Sequence, residues 1–407
     1  MNTLKKLGPG LLFAGAAIGV SHLVYSTRAG ADYGWSLIWA FILINLFKYP
    51  FFEFGPRYAV ATGETLLDGY AKLGKGYLWG YALLNTANMF TIQAAVTIVT
   101  AGLAAHLFGI SVNLTAWAST IILICSFLLI VGKYKLLDNL MKFIIVILSI
   151  CTILAVSVAF VKSNTFPPFE QILPEGSGLL FLIAFMGWMP APMDISIWHS
   201  IWSVEKQKNS SKINLKESLF DFNIGYGATI FLGLCFMGLG ALVMYNSDIR
   251  FSDQGLVFAG QLIELYTENL GTSFAVVISL AAFTTMFSTT ITTLDASPRA
   301  FSKTLQILMN DKRDFYLPFL FLLALGTIGI FVFYKSEMGL LVQIATVLSF
   351  LTTPFFAWAN LKLVTSNHMP KEFQPNKFMI FLSWSGLVFL STFTIGYLYS
   401  FREVLYI

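Results

Sequence analysis

The chain carries eleven apolar runs, each long enough to cross a lipid bilayer, and this rules out most architectures at once. The runs lie near residues 8–32, 34–60, 77–108, 113–132, 137–161, 176–201, 218–245, 269–295, 314–334, 338–364 and 376–401. A transmembrane helix needs about 20 mostly apolar residues. Inside the hydrocarbon core no water can satisfy a peptide group, so only helices and closed barrels can span it. Barrel strands would show about ten residues of alternating polarity. Such segments are absent, so the spans are helical. Only 11% of the 407 residues are charged, against about 25% in soluble domains. The sequence predicts an all-α, multi-pass integral membrane protein, a single transmembrane domain over 1–407. The loops are too short to hold a soluble catalytic domain, so neither enzyme activity nor a cofactor is expected.

Orientation follows from the loops. Basic residues cluster at Lys5 and Lys6, Lys72 and Lys75, Lys133 and Lys135, then Lys206, Lys208, Lys212 and Lys216. They recur at Arg299, Lys303, Lys312 and Arg313, and at Lys371 and Lys377. The intervening loops hold only Lys162, Arg250 and Lys335, among the acids Glu170, Glu175, Asp248, Asp253, Glu264 and Glu268. The positive-inside rule then places the N-terminus in the cytoplasm and the C-terminus outside a cell membrane. The net charge of +4 reflects this bias and does not imply a nucleic-acid partner. The first run is too long for a signal peptide and lacks a small-residue cleavage site, so it is expected to stay as a span. Cys125, Cys151 and Cys235 fall within spans without CxxC spacing and read as packing residues.

An internal repeat organises the spans. Span 1 begins "GPGLLFAGAAIGVSH" at Gly8, and span 6 begins "GSGLLFLIAFMGWMP" at Gly176. At this offset Gly8/Gly176, Gly10/Gly178, Leu11/Leu179, Leu12/Leu180, Phe13/Phe181, Ala16/Ala184 and Gly19/Gly187 coincide. Segments five spans apart run in opposite directions, as an inverted five-helix repeat requires. Repeat one covers about 8–162, repeat two about 176–364, and an extra helix about 376–401.

Both copies are interrupted after the shared glycine. Span 1 continues Gly19-Val20-Ser21-His22, and span 6 continues Gly187-Trp188-Met189-Pro190-Ala191-Pro192. Proline removes the bond to the carbonyl four residues earlier, so Pro190 frees Met186 and Pro192 frees Trp188. Freed groups are tolerated at membrane depth only when buried in protein or lining a wet cavity. Paired breaks in two repeats point to a midplane substrate site. Asp194 follows two residues after Pro192, and a carboxylate near mid-membrane costs about 2.5–3.5 kcal/mol on insertion scales. It is therefore read as functional. Lys48 and Glu53 in span 2 are expected to form an internal ion pair, and Asp295 to pair with Arg299.

These residues resemble the Nramp family of proton-coupled divalent-metal transporters, whose fold is a LeuT-type 5+5 inverted repeat with helices 1 and 6 broken. "GPGLLFAG" followed by "STRAGADYGWSLIW" is similar to that family's first helix and its exit into the second. "RYAVATGETL", "STTITTLDA" and "TVLSFLTTPFFAWANLKLVTS" resemble later family segments. The resemblance covers most of the chain, and the departures fall at the site. The family's D-P-G-N positions are here Gly19, Val20, Ser21 and His22, so the metal-binding aspartate is replaced by glycine. Its M-P-H motif falls on Met189-Pro190-Ala191 by identity, and nearer Ala191-Pro192-Met193 by spacing to Trp198-His199-Ser200. The acidic pair of its third helix is replaced by Gln93 and Val96.

The reading is a secondary active transporter with alternating access about spans 1 and 6. Its expected substrate is a divalent cation of the manganese, iron or magnesium class. An organic solute or amino-acid permease on the same scaffold is one alternative, and a non-transporting membrane sensor is another. The expected substrate site comprises Gly19, Ser21, His22, Met186, Trp188, Met189, Ala191, Met193 and Asp194. His22, Met189 and Asp194 are the expected metal ligands, and imidazole and thioether lean towards transition ions. If His22 ligates, protonation competes with the metal, so binding weakens in acid. Gln93, His199 and Gln343 are candidates for coupling or gating.

Overall fold

The computed structural model describes residues 8–405 apart from 111–112, 163–166, 168, 210–213, 246–249, 253, 273–274 and 334–337. Lys5, Lys6, Lys212, Asp248, Asp253 and Lys335 lie outside the described residues, as do the side chains of Lys133, Lys135 and Glu268. All regular structure among the described residues is helical.

Span 1 is made of two pieces, α1 (Pro9–Ala17) and α2 (Thr27–Tyr33). They are joined through Ile18–Gly19 and a π-helical turn, Ser21–Ser26, and the span bends by 49° there. Then come α3 (Ile38–Thr62), the short α4 (Leu66–Leu73) and α5 (Lys75–Phe108). The α4 turn is set by a capping box in which Thr65 and Asp68 satisfy each other's backbone N–H. A 49-residue helix, α6, runs Leu114–Lys162. Span 6 is again two pieces, α7 (Ser177–Trp188) and α8 (Ile195–Asn209). The chain closes with α9 (Leu215–Leu239), α10 (Gly255–Leu270), α11 (Ala275–Met309), α12 (Tyr316–Phe333), α13 (Met338–Val364) and α14 (Lys377–Leu405).

The eleven expected spans map onto fewer uninterrupted helices. Among the described residues eight helices are long and apolar enough to cross a membrane, or nine with the bent pair of span 1. Span 6 accounts for part of the difference. The halves of span 6 hold 12 and 15 residues, each short of the about 20 that a crossing needs. The expected spans 4 and 5 run on as one helix, without the interruption expected at Lys133–Lys135. The acidic loop expected before span 8 contains a helix of its own, α10.

The broken spans form the centre of the molecule. Piece α1 packs on α8, α9 and α11, and α7 packs on α13. The contact of α1 with α9 is backbone to backbone. A Cβ on Gly225 would lie 2.0 Å from the Gly10 carbonyl oxygen, so no larger residue fits this crossing. By contrast α14 is peripheral. It exposes Phe378, Phe381, Trp384, Val388, Ile395 and Leu398, an apolar face suited to lipid. Arg299 pairs with Asp295 at 2.5 Å, as expected, and Tyr316 adds a hydrogen bond of 2.7 Å to the same carboxylate. The three cysteines are free thiols.

Candidate functional site

Both breaks open on one small buried cavity. Span 1 lines it with Ala16, Ala17, Gly19, Val20 and Ser21, and span 6 with Trp188, Pro192, Ile195 and Trp198. Ile92 and Val96 of α5 and Thr289 and Thr293 of α11 complete the wall. The breaks fall slightly away from their expected places. Span 1 loses its helix at Ile18–Gly19 and resumes as a π-turn from Ser21, whereas span 6 is non-helical over 189–194. The Met189–Pro190 peptide is cis.

At the first break the freed carbonyls are met by hydroxyls. Thr289 Oγ1 lies 3.3 Å from the Gly15 oxygen and 3.2 Å from that of Ile18. Ser21 Oγ donates to the Ala17 oxygen at 2.8 Å. The second break is met by a charge. Lys48 Nζ, fully buried, donates to the carbonyls of Met186 at 2.8 Å, Gly187 at 2.7 Å and Ala191 at 3.3 Å. The expected Lys48–Glu53 pair is thus replaced. Glu53 instead binds Arg57 through several contacts, the shortest 2.5 Å. Helix geometry explains this: positions 53 and 57 share a face, whereas a spacing of five from Lys48 turns the two side chains away from each other.

Asp194 stands at the N-cap of α8, where its main-chain oxygen accepts from Ile197 and Trp198. Its buried side chain turns away from the cavity. Oδ2 accepts from Asn88 Nδ2 at 3.3 Å, and the same amide reaches Thr352 Oγ1 at 3.1 Å. A carboxylate only accepts, so the Asn88 nitrogen must face it. Asp194 Oδ1, Asn88 Oδ1 and the hydroxyl of Tyr81 are buried with no hydrogen-bond partner. Tyr81 and Asn88 are seven residues apart on α5 and share its face.

His22 also turns outward, towards α9. Its Nδ1 lies 2.7 Å from Ser21 Oγ and its Nε2 2.9 Å from the Thr229 carbonyl oxygen. Both ring nitrogens are therefore engaged, and the ring does not line the cavity. The expected trio of His22, Met189 and Asp194 is not drawn together as a chelate. His22 and Asp194 face different helices, and Met189 is buried in the extended stretch after α7. No group of three His, Cys, Asp or Glu side chains placed to hold a metal occurs among the described residues. Met193 is buried and Ala191 contributes its carbonyl to Lys48. Trp188 lines the cavity and ties its indole to Ser349 Oγ of α13 at 2.8 Å.

The gating candidates separate. Gln93 joins α5 to α11 in a neutral polar zipper, receiving Thr293 Oγ1 at 2.8 Å and donating to the Thr290 oxygen at 3.2 Å. Val96 lines the cavity beside it. His199 packs among Phe13 and Phe222 at ring distances of 5.7 and 5.6 Å. Gln343 is exposed. On the N-terminal side, α1 is held by Asp221, which accepts from the amides of Gly8 at 3.1 Å and Gly10 at 3.0 Å. Beside span 6, the rings of Tyr33 and Phe185 each stack on Phe181, and that of Tyr25 lies tilted against it.

Several residues with a place at this site escaped the sequence reading, among them Asn88, Tyr81, Thr352, Thr289 and Trp198. Asn88 alone left a signal, an amide in the middle of an apolar run. Lys48 left the stronger one, a mid-span charge, but its partners lie 138 to 143 residues away and spacing could not find them.

A helical membrane protein with two spans unwound at mid-length around a shared cavity is built as a broken-helix secondary transporter. The natural resistance-associated macrophage protein-like family profile matches residues 10–400, and the chain belongs to this Nramp family. An uncharacterized protein of Pasteurella multocida (strain Pm70) is 37% identical over 397 residues, covering 96% of this chain and 90% of that protein. The fold is similar to that of the Eremococcus coleocola manganese transporter in complex with an aromatic bis-isothiourea substituted compound. The TM-score is 0.74 at 14% identity, with 96% of this chain and 85% of that chain covered. A nucleobase-cation-symport-1 family transporter, closed with bromovinylhydantoin bound, aligns with a TM-score of 0.59 at 14% identity, covering 96% and 92% of the two chains.

Proposed function

We propose that the chain is a secondary active transporter that moves a divalent metal cation across a cell membrane by alternating access about spans 1 and 6. The observation that carries this reading is the meeting of two mid-span breaks at one buried cavity in an Nramp-family chain. The manganese transporters among its structural neighbours support metal over an organic solute or a sensory role. A transporter of this build needs no catalytic residues. The N-terminus faces the cytoplasm, on the strength of the loop charges.

The ligand set differs from imidazole and thioether. Asp194 Oδ1 and Asn88 Oδ1, both buried and without partners, offer an oxygen pair beside the break of span 6. Oxygen shells suit hard cations such as magnesium and manganese. Asp194 supplies the charge that Gly19 no longer carries. Uptake by proteoliposomes tests the reading, with manganese, iron and magnesium offered beside amino acids. Saturable uptake of one of the cations is expected. Uptake of an amino acid and of no cation would move the function to the permease class.

A further inference from the structure

The contact that the metal reading leaves unused is the one between Lys48 and span 6. Three main-chain oxygens, of Met186, Gly187 and Ala191, converge on a single nitrogen at 2.7 to 3.3 Å. A neutral amine has two N–H donors, whereas an ammonium has three. Among the described residues Nζ meets three acceptors, an arrangement that matches the three N–H groups of an ammonium. The carbonyls are free because the helix stops at Trp188 and Pro190 cannot donate to Met186. The side chain is fully buried, and among the described residues its partners are carbonyls, not a carboxylate. Glu53, the nearest acid along span 2, is committed to Arg57.

We propose that the unwound turn of span 6 is a binding site for a small monovalent cation, which the chain fills with its own Lys48 ammonium. The geometry is that of a carbonyl cage: neutral dipoles point at one centre and replace the hydration shell of the charge they hold. A tethered ammonium makes the occupancy permanent, so this position needs no ion from solution. It also bars the Met186 carbonyl, one of the expected substrate ligands, from an incoming metal.

The test empties the cage and offers a free cation. Membranes holding full-length Lys48→Ala are solubilised in parallel in ammonium chloride and in choline chloride of equal ionic strength. The folded fraction is read by size exclusion and the melting temperature by fluorescence. Choline is too large for a site built around one nitrogen. In Lys48→Ala, ammonium is expected to enlarge the folded peak and raise the melting temperature by about 2–4 °C over choline. Wild type should not respond. Lys48→Met keeps the stem and blocks the cage with a methyl group, so it should be destabilised in both salts. The proposal is overturned if ammonium and choline act alike on Lys48→Ala, or if ammonium raises all three proteins equally. It is also overturned if Lys48→Ala gives no folded peak in either salt. No metal enters the experiment, so failure here leaves the transport reading standing, and failure of metal uptake leaves this one standing.

Discussion

Spans 1 and 6 begin with the same residues and face the same physical problem, yet they solve it with different chemistry. Each must leave carbonyls without helical partners at membrane depth, where a dry acceptor costs about 1–3 kcal/mol. Span 1 answers with the hydroxyls of Ser21 and Thr289. These are neutral and short; Thr289 reaches in from α11, and Ser21 belongs to span 1 itself. Span 6 answers with one charge on a long stem, Lys48, reaching in from α3. The hydroxyl solution spreads the load over several weak bonds, whereas the ammonium concentrates it on one atom. Similar sequences at two breaks therefore do not imply similar electrostatics. Removing one group should hurt span 6 far more than span 1.

The largest effect is expected at Lys48. Lys48→Met strips three carbonyls of their donor and should destabilise the protein by roughly 3 kcal/mol or more, at about 1–3 kcal/mol per acceptor left dry. Thermal melts of purified protein measure it, and a loss no greater than that of a hydroxyl variant would break the comparison. Next comes Asp194→Asn. The amide can keep the contact with Asn88, so the fold should persist, while cation uptake falls at least about tenfold, equivalent to about 1.4 kcal/mol. Full uptake by a well-folded variant would show that the charge lacking at Gly19 is not supplied by Asp194. His22→Leu should cost about 1 kcal/mol in stability by removing one buried hydrogen bond to the Thr229 carbonyl, which keeps its helical partner. Its metal affinity, read by calorimetry, should match wild type, and a large affinity loss would return His22 to the site. The smallest effect belongs to span 1. Thr289→Val removes one hydroxyl from a set that Ser21 still supports, and should cost about 1 kcal/mol.

Much of this molecule was legible before any coordinates. Long apolar runs specify a helical membrane protein because lipid leaves the backbone no other choice. The places of the breaks were also legible to within a residue or two, because Pro190, Pro192 and Gly19 act locally. What sequence could not reveal is where each break finds its donors. Lys48, Thr289 and Asn88 come from helices far away in the chain, and nothing in their spacing marks the contact. The same limit misplaced Lys48 beside Glu53, where proximity along the chain outweighed the turn of the helix. His22 and Asp194 were read as ligands of one ion, but the directions of their side chains are set by Thr229 and Asn88 on other spans. Between Leu114 and Lys162, where Lys133 and Lys135 suggested a loop, the backbone stays helical through both lysines.

The short first piece of span 1 has a mechanical meaning. It is a stiff rod of nine residues, about 14 Å long at 1.5 Å per residue, pivoted at Ile18–Gly19 and pinned at its far end. The pin is the Asp221 carboxylate, gripping the amides of Gly8 and Gly10. A tilt of about 20° about the pivot would carry the pinned end some 5 Å, as the rise per residue dictates, and neither bond would survive it. The Asp221 carboxylate therefore holds the rod at the end of the lever, where a small force has the greatest purchase.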